Sequence, residues 1–237
     1  MTPDYLFPIA AAYVRGKLDL EGSDEELVEA GREHGLKMHR FKRSQLPRVL
    51  KCIGLLKGLR PTNQLDIGPG RGAFLWTMLS DIPYVTVTCV DVLPHRVELI
   101  NTVKRGGIDR VSCHTMDVQS LDFDTDAFDT VTALEVLEHL PDPSRAVKEL
   151  CRVGKEWLLV SVPSKPDNNP EHINLFSARD LERLLLENGA KSVHLVYREN
   201  VWRVPYFVGG INFKRLLYMR AQEMQFNGWG RGPLKKA

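Results

Sequence analysis

The chain has 237 residues, 43% of them hydrophobic and 26% charged, with a formal net charge of +2. Those figures belong to an ordinary soluble globular protein rather than a disordered or membrane-spanning one, and the length fits one large α/β domain with extensions. The net charge hides an asymmetry: residues 1–60 carry +3, residues 61–199 carry −7 and residues 200–237 carry +6.

Residues 1–60 read as a helical extension. The apolar stretch from Leu6 to Val14 has no basic region before it and is too short to cross a bilayer, which implies no membrane association and a cytoplasmic protein. Ser23-Asp24-Glu25-Glu26 has the form of a capping box, and Gly35 is placed to close the helix it starts. Leu46, Val49, Leu50, Ile53 and Leu56 recur at helical spacing and end near Gly58. Residues 35–60 hold eight basic side chains and no acid. Cys52, Cys89, Cys113 and Cys151 form no C-x-x-C pair and read as free thiols in a reducing compartment.

From Gln64 strands alternate with helices. Gln64–Ile67, Val85–Val90, Val111–Met116, Phe128–Leu134 and Trp157–Val162 read as strands, with Val193–Tyr197 and Val201–Val208 as two more. Helices are expected at Gly72–Leu79, Pro94–Val103, Pro143–Val153 and Ala178–Asn188. The pattern predicts a doubly wound, seven-stranded, mostly parallel sheet with helices on both faces. The domain bounds that follow are 1–60 for the helical lid, 61–208 for the α/β domain and 209–237 for a C-terminal helix and basic tail.

Gly68, Asp91, Asp117 and Glu135 all fall at carboxyl ends of predicted strands, where such sheets bind ligands. Gly68-Pro69-Gly70-Arg71-Gly72 joins the first strand to a helix, as where backbone approaches a nucleotide-like ligand. Asp91, nineteen residues after Gly72, suits a bidentate grip on two ribose hydroxyls. Asp117 suits the exocyclic amine of a purine. Two ligands compete, a nicotinamide dinucleotide and S-adenosylmethionine. Asp66 disfavours the first, since a carboxylate beside the loop faces a pyrophosphate badly but suits an ammonium and a sulfonium.

Asp66-x-Gly68-x-Gly70-x-Gly72, Asp91, Met116-Asp117-Val118 and the run from Phe128 to Pro143 together resemble the successive motifs of class I S-adenosylmethionine-dependent methyltransferases. The resemblance covers residues 61–199 and lies nearest the ubiquinone-pathway O-methyltransferases and small-molecule methyltransferases. It implies a Rossmann-like fold with S-adenosyl-L-methionine as cofactor, held by Asp66, Gly68, Pro69, Gly70, Gly72, Asp91, Val92, Asp117, Val118, Leu134 and Glu135. In that reading Asp66 orients the ammonium, Asp91 the ribose and the Val118 N–H the adenine, while Leu134 and Glu135 line the slot where the methyl group leaves sulfur.

Glu135, His139 and His172 are the catalytic candidates. Placed on one helical turn, Glu135, Glu138 and His139 share a face, and with His172 they form a candidate set for a divalent metal; the alternative is that they fix the loop by hydrogen bonds. The expected acceptor is a small molecule, methylated on O or N. Residues 35–60 and the basic tail, with Phe41, Trp202 and Trp229 for stacking, keep RNA open as a partner. A non-catalytic, cofactor-binding partner protein is a third reading, and the intact glycine loop with Glu135 argues against it.

Overall fold

The computed structural model describes residues 6–163 and 168–195. Its centre is one parallel sheet of β1 (Asn63–Ile67), β2 (Thr86–Asp91), β3 (Val111–Thr115), β4 (Phe128–Leu134) and β5 (Gly154–Ser161), in the order β3-β2-β1-β4-β5. The first five predicted strands are therefore present. The last of them begins at Gly154 rather than Trp157, because Phe128 already pairs with Gly154 ahead of a register shift. Of the two further strands, Val193–Leu195 carry no strand and the remainder lies outside the described residues. The described sheet thus has five strands, against the seven expected.

Side chains on successive residues of a strand face opposite ways, so each strand feeds two cores. On one face Val87, Cys89, Val111 and Cys113 pack beneath α1 (Phe7–Leu18), α2 (Asp24–Glu33), α3 (Pro47–Leu59), α4 (Ala73–Asp81) and α5 (Pro94–Arg105). On the other, Leu65, Ile67, Val131 and Val160 pack against α6 (Pro143–Val153) and α7 (Ala178–Glu187). The order of the strands reverses at β1, between β2 and β4, which makes the carboxyl end of β1 the switch point where ligands bind in open α/β sheets.

The N-terminal segment is helical, but most of it flanks the domain. The capping box at Ser23 and Glu26 forms, and the Leu36 N–H bonds the Gly31 carbonyl beyond a left-handed Gly35, closing α2. The small residues Ala10, Ala11 and Ala12 are buried on α1, which lies along α5 at backbone contact. A Cβ on Gly106 would fall 1.7 Å from the Ala12 carbonyl oxygen, and one on Gly16 would fall 2.1 Å from that of Thr102. Cys52 of α3 lies close enough to the crevice to feel its acids: burial first, then the charge of Asp66, with a smaller push from Glu135, raises the Cys52 thiol to about 12. That helix buries Val49, Cys52, Ile53 and Leu56 and leaves Leu46 and Leu50 in solvent, although all but Cys52 share the predicted apolar pattern.

Candidate active site

The loop after β1 is built from left-handed backbone. Gly68, Gly70 and Gly72 have φ of 63°, 58° and 84°, a region costly for any residue with a Cβ. The Gly68 N–H donates to the Val90 carbonyl at 2.8 Å, carrying the β1–β2 pairing into the turn, and the Gly72 N–H closes it onto the Pro69 carbonyl at 2.9 Å. Gly72 is needed twice over. A Cβ there would lie 1.9 Å from Trp76 Nε1, whose N–H bonds the Arg71 carbonyl. Trp76 in turn meets Phe41, and Phe41 meets Tyr13, so an aromatic stack ties α1 to the glycine loop.

Asp66 is buried, and its register partner Thr132 on β4 donates a 2.7 Å hydrogen bond to its Oδ1. Oδ2 accepts no hydrogen bond among the described residues. Burial, with the negative charge of Asp91 in support and the Thr132 bond opposing, pushes its carboxyl up to about 7. A carboxylate held this way is complementary to a cation and hostile to a phosphate.

Asp91 ends β2. Its Oδ1 accepts from the Leu93 N–H at 2.9 Å, and its Oδ2 lies 3.5 Å from Arg96 Nη1. Val92 beside it is exposed. Asp117 is exposed and caps its own loop, accepting from the Gln119 N–H at 2.8 Å. Val118 is buried next to it.

Leu134 and Glu135 are half-buried at the end of β4. Glu135 takes a left-handed φ of 59°, its N–H donates to the Ser161 carbonyl, and its Oε1 accepts from Ser161 Oγ at 2.8 Å. This turn sets Val136 over the loop, where a Cβ on Gly68 would stand 2.9 Å from Val136 Cγ2. A left-handed residue followed by a short 3₁₀ turn, Leu137–His139, breaks the helical register in which Glu135, Glu138 and His139 were expected to share a face. The expected set of four is therefore divided.

Glu138, His139 and His172 bring one ligand atom each within 4.8 Å of one another, and Glu135 is not in this group. A carboxylate and two imidazoles are donors that a divalent ion accepts. The same residues also knit the loop. The Glu138 carbonyl takes the N–H groups of Ile173 and Asn174, the His139 and His172 rings meet edge to face at 4.8 Å, and His139 Nδ1 lies 2.9 Å from the Glu171 carbonyl oxygen. A carbonyl only accepts, so Nδ1 carries a proton in this bond, and in the neutral ring the lone pair then belongs to Nε2.

Three residues of the site were not named from sequence: Thr132, Ser161 and Arg96. Ser161 could have been found by the signal that pointed to Asp91, since it lies at the carboxyl end of the predicted strand Trp157–Val162, one residue before its last. Thr132 needed the β1–β4 register, and Arg96 needed the bend from β2 into α5.

The basic face is partly spoken for. Phe41 is buried in the aromatic stack, so it is not available for stacking on a base. Arg43 and Lys57 both pair with Asp81 at the end of α4. Trp202, Trp229 and the basic tail lie outside the described residues. Among the described residues, no helix is long and apolar enough to cross a membrane.

Comparison with known proteins identifies the family and the fold. A methyltransferase-domain family model matches residues 37–195. The ubiquinone biosynthesis O-methyltransferase of Alkalilimnicola ehrlichii is 32% identical over 119 residues, covering 50% of this chain and 46% of that protein. The chloroplastic 2-methyl-6-phytyl-1,4-hydroquinone methyltransferase 2 of Oryza sativa subsp. japonica is 30% identical over 94 residues, covering 40% of this chain and 26% of that protein. The match thus spans less than half the length of either curated relative. Among solved structures, the N-terminal domain of EvdMO1 with S-adenosylhomocysteine bound superposes with a TM-score of 0.56 at 18% identity, over 72% of this chain and 82% of that one. With the family model matched across two thirds of its length, from the end of α2 past α7, this chain belongs to the methyltransferase-domain family.

Proposed function

We propose that this protein transfers a methyl group from S-adenosylmethionine to a hydroxyl oxygen of a small molecule. The observation that carries the reading is Asp66, a buried carboxylate with one oxygen unpartnered among the described residues, beside a loop of three left-handed glycines. Such a site fits a ligand with an ammonium and a sulfonium and rejects a pyrophosphate. When bound, the cofactor supplies a methyl carbon already activated on a sulfonium sulfur.

The chain's own residues then position and take a proton. Asp66 receives the ammonium, Asp91 the ribose hydroxyls and the Val118 N–H the adenine, while Leu134 and Glu135 line the slot between cofactor and acceptor. His139 presents the Nε2 lone pair to the acceptor hydroxyl and takes its proton as the oxygen bonds carbon. His172 braces the imidazole. Much of the catalysis lies in alignment, to which the base adds its part. The small-molecule acceptor is supported by the names of the two curated relatives, an O-methyltransferase of ubiquinone synthesis and a hydroquinone methyltransferase, and by the committed basic side chains around Asp81.

The test is transfer of labelled methyl to catechol and hydroquinone. We expect label on a hydroxyl oxygen and His139→Gln lowering kcat by about 10²–10⁴ with S-adenosylhomocysteine affinity unchanged, the range for losing a general base. Full kcat in His139→Gln removes the base assignment, and label reaching RNA but neither phenol overturns the acceptor class.

A further inference from the structure

We infer that Arg96 is a further residue of the ribose subsite, one that competes with the cofactor for Asp91 and so sets how tightly the cofactor is held. The inference rests on the reading of Asp91 as the acceptor of the ribose hydroxyls.

Arg96 stands in the first turn of α5, two residues after Pro94, and its side chain turns back toward the sheet. Its Nη1 lies 3.5 Å from Asp91 Oδ2 and 4.0 Å from where a Cβ on Gly70 would be. The guanidinium therefore occupies the gap between the glycine loop and the acid that ends β2. A ribose bonded to Asp91 above that loop needs the same gap. The exposures agree: the Arg96 side chain is 37% exposed and that of Asp91 only 2%. Solvent meets the arginine, and the carboxylate lies beneath it.

The bonding of Arg96 is unlike that of the arginines that hold this fold together. Arg152 clasps the carbonyls of Leu121 and Phe123 and the Glu149 carboxylate. Arg110 reaches the carbonyls of Leu79, Ile82 and Val85. The Arg96 guanidinium meets one acceptor among the described residues, through one nitrogen, at a distance too long for a strong charge-assisted bond. A single 3.5 Å contact from a partly exposed arginine is weak and easily broken. It still takes up Asp91, whose other oxygen accepts from the Leu93 N–H. Two ribose hydroxyls that displace the guanidinium gain less than they would from a carboxylate left with the Leu93 N–H alone.

The experiment is calorimetric titration of S-adenosylhomocysteine into the full chain and into Arg96→Ala, Arg96→Met, Asp91→Ala and the double variant Asp91→Ala/Arg96→Ala. Arg96→Met keeps the bulk of the side chain and removes its charge. We expect both Arg96 variants to bind about two- to fivefold tighter at low ionic strength, the range of a partly exposed ion pair. The difference should shrink as salt screens the pair in the wild type, and it should vanish in the Asp91→Ala background. Unchanged or weaker binding in both Arg96 variants, with Asp91→Ala clearly weakened, overturns the competition while leaving Asp91 on the ribose. Wild-type affinity in Asp91→Ala removes the ribose assignment and the inference with it. Melting curves distinguish a structural role, which would lower Tm and weaken binding together.

Discussion

Asp66 is buried at the end of β1, its Oδ2 accepts no hydrogen bond among the described residues, and its carboxyl is raised from 3.8 to about 7. In the folded protein the acid holds a proton across a range where the unfolded chain has lost it. Its contribution to stability is therefore present at low pH and is lost as pH rises from about 4 through about 7. A ligand ammonium favours the ionised form, so binding should release a proton below pH 7 and tighten as pH rises from about 6 to about 8. Titrations of S-adenosylhomocysteine across that range should show this slope in the wild type and a flat, weaker response in Asp66→Asn. An equal slope in both would place the titrating group elsewhere. Much of the site was legible at this scale: Asp66, the three glycines and Asp91 announce themselves by type and spacing. The bond from Ser161 to Glu135 was not, because it depends on a left-handed turn at Glu135, and nothing in the residue name glutamate signals positive φ.

At the scale of elements, strand ends and helix starts followed local chemistry closely. The proline at the first turn of α5 and the capping boxes at Ser23 and Ser177 all stand where the sequence put a boundary. What local chemistry could not show was where α1 would dock. The buried face of that helix is small rather than large, so its apolar pattern is faint, and its partner is a backbone over eighty residues away. Arg15 Nη1 completes the contact with a 2.9 Å bond to the Gly106 carbonyl. Gly106→Ala would drive a methyl into the Ala12 carbonyl, where backbone and not a side-chain tip must yield. Overpacking of that kind costs about 1–3 kcal/mol. Urea unfolding should show the loss in the midpoint, and an unchanged midpoint would mean that α1 is not seated on α5. Gly106 caps the C-terminal end of α5, whereas Arg96 in its first turn is the residue that reaches Asp91, so affinity for S-adenosylhomocysteine in the folded variant should hold.

For the molecule as a whole, the chain alternates strand and helix around a switch point, and the cofactor-binding and catalytic candidates named from sequence lie at the carboxyl ends of the strands of one sheet or in the loops that follow them. Charge was the poorer guide. The run of basic residues before β1 kept RNA open as a partner, yet Arg43 and Lys57 serve to pin α3 and the loop before it to Asp81 on α4. A tally of charges does not say which of them have partners; only the packing does. The central claim is that the crevice built from Asp66, the glycine loop and Asp91 accepts S-adenosylmethionine and not a dinucleotide. Calorimetric titration of the wild-type chain with S-adenosylmethionine, S-adenosylhomocysteine and the two nicotinamide dinucleotides tests it most directly. The account predicts saturable binding of the first two, none of the dinucleotides, and a loss of about 1–3 kcal/mol in Asp91→Ala, the range for removing a charged hydrogen-bonding group. Saturable binding of a dinucleotide with no response to S-adenosylhomocysteine would contradict it.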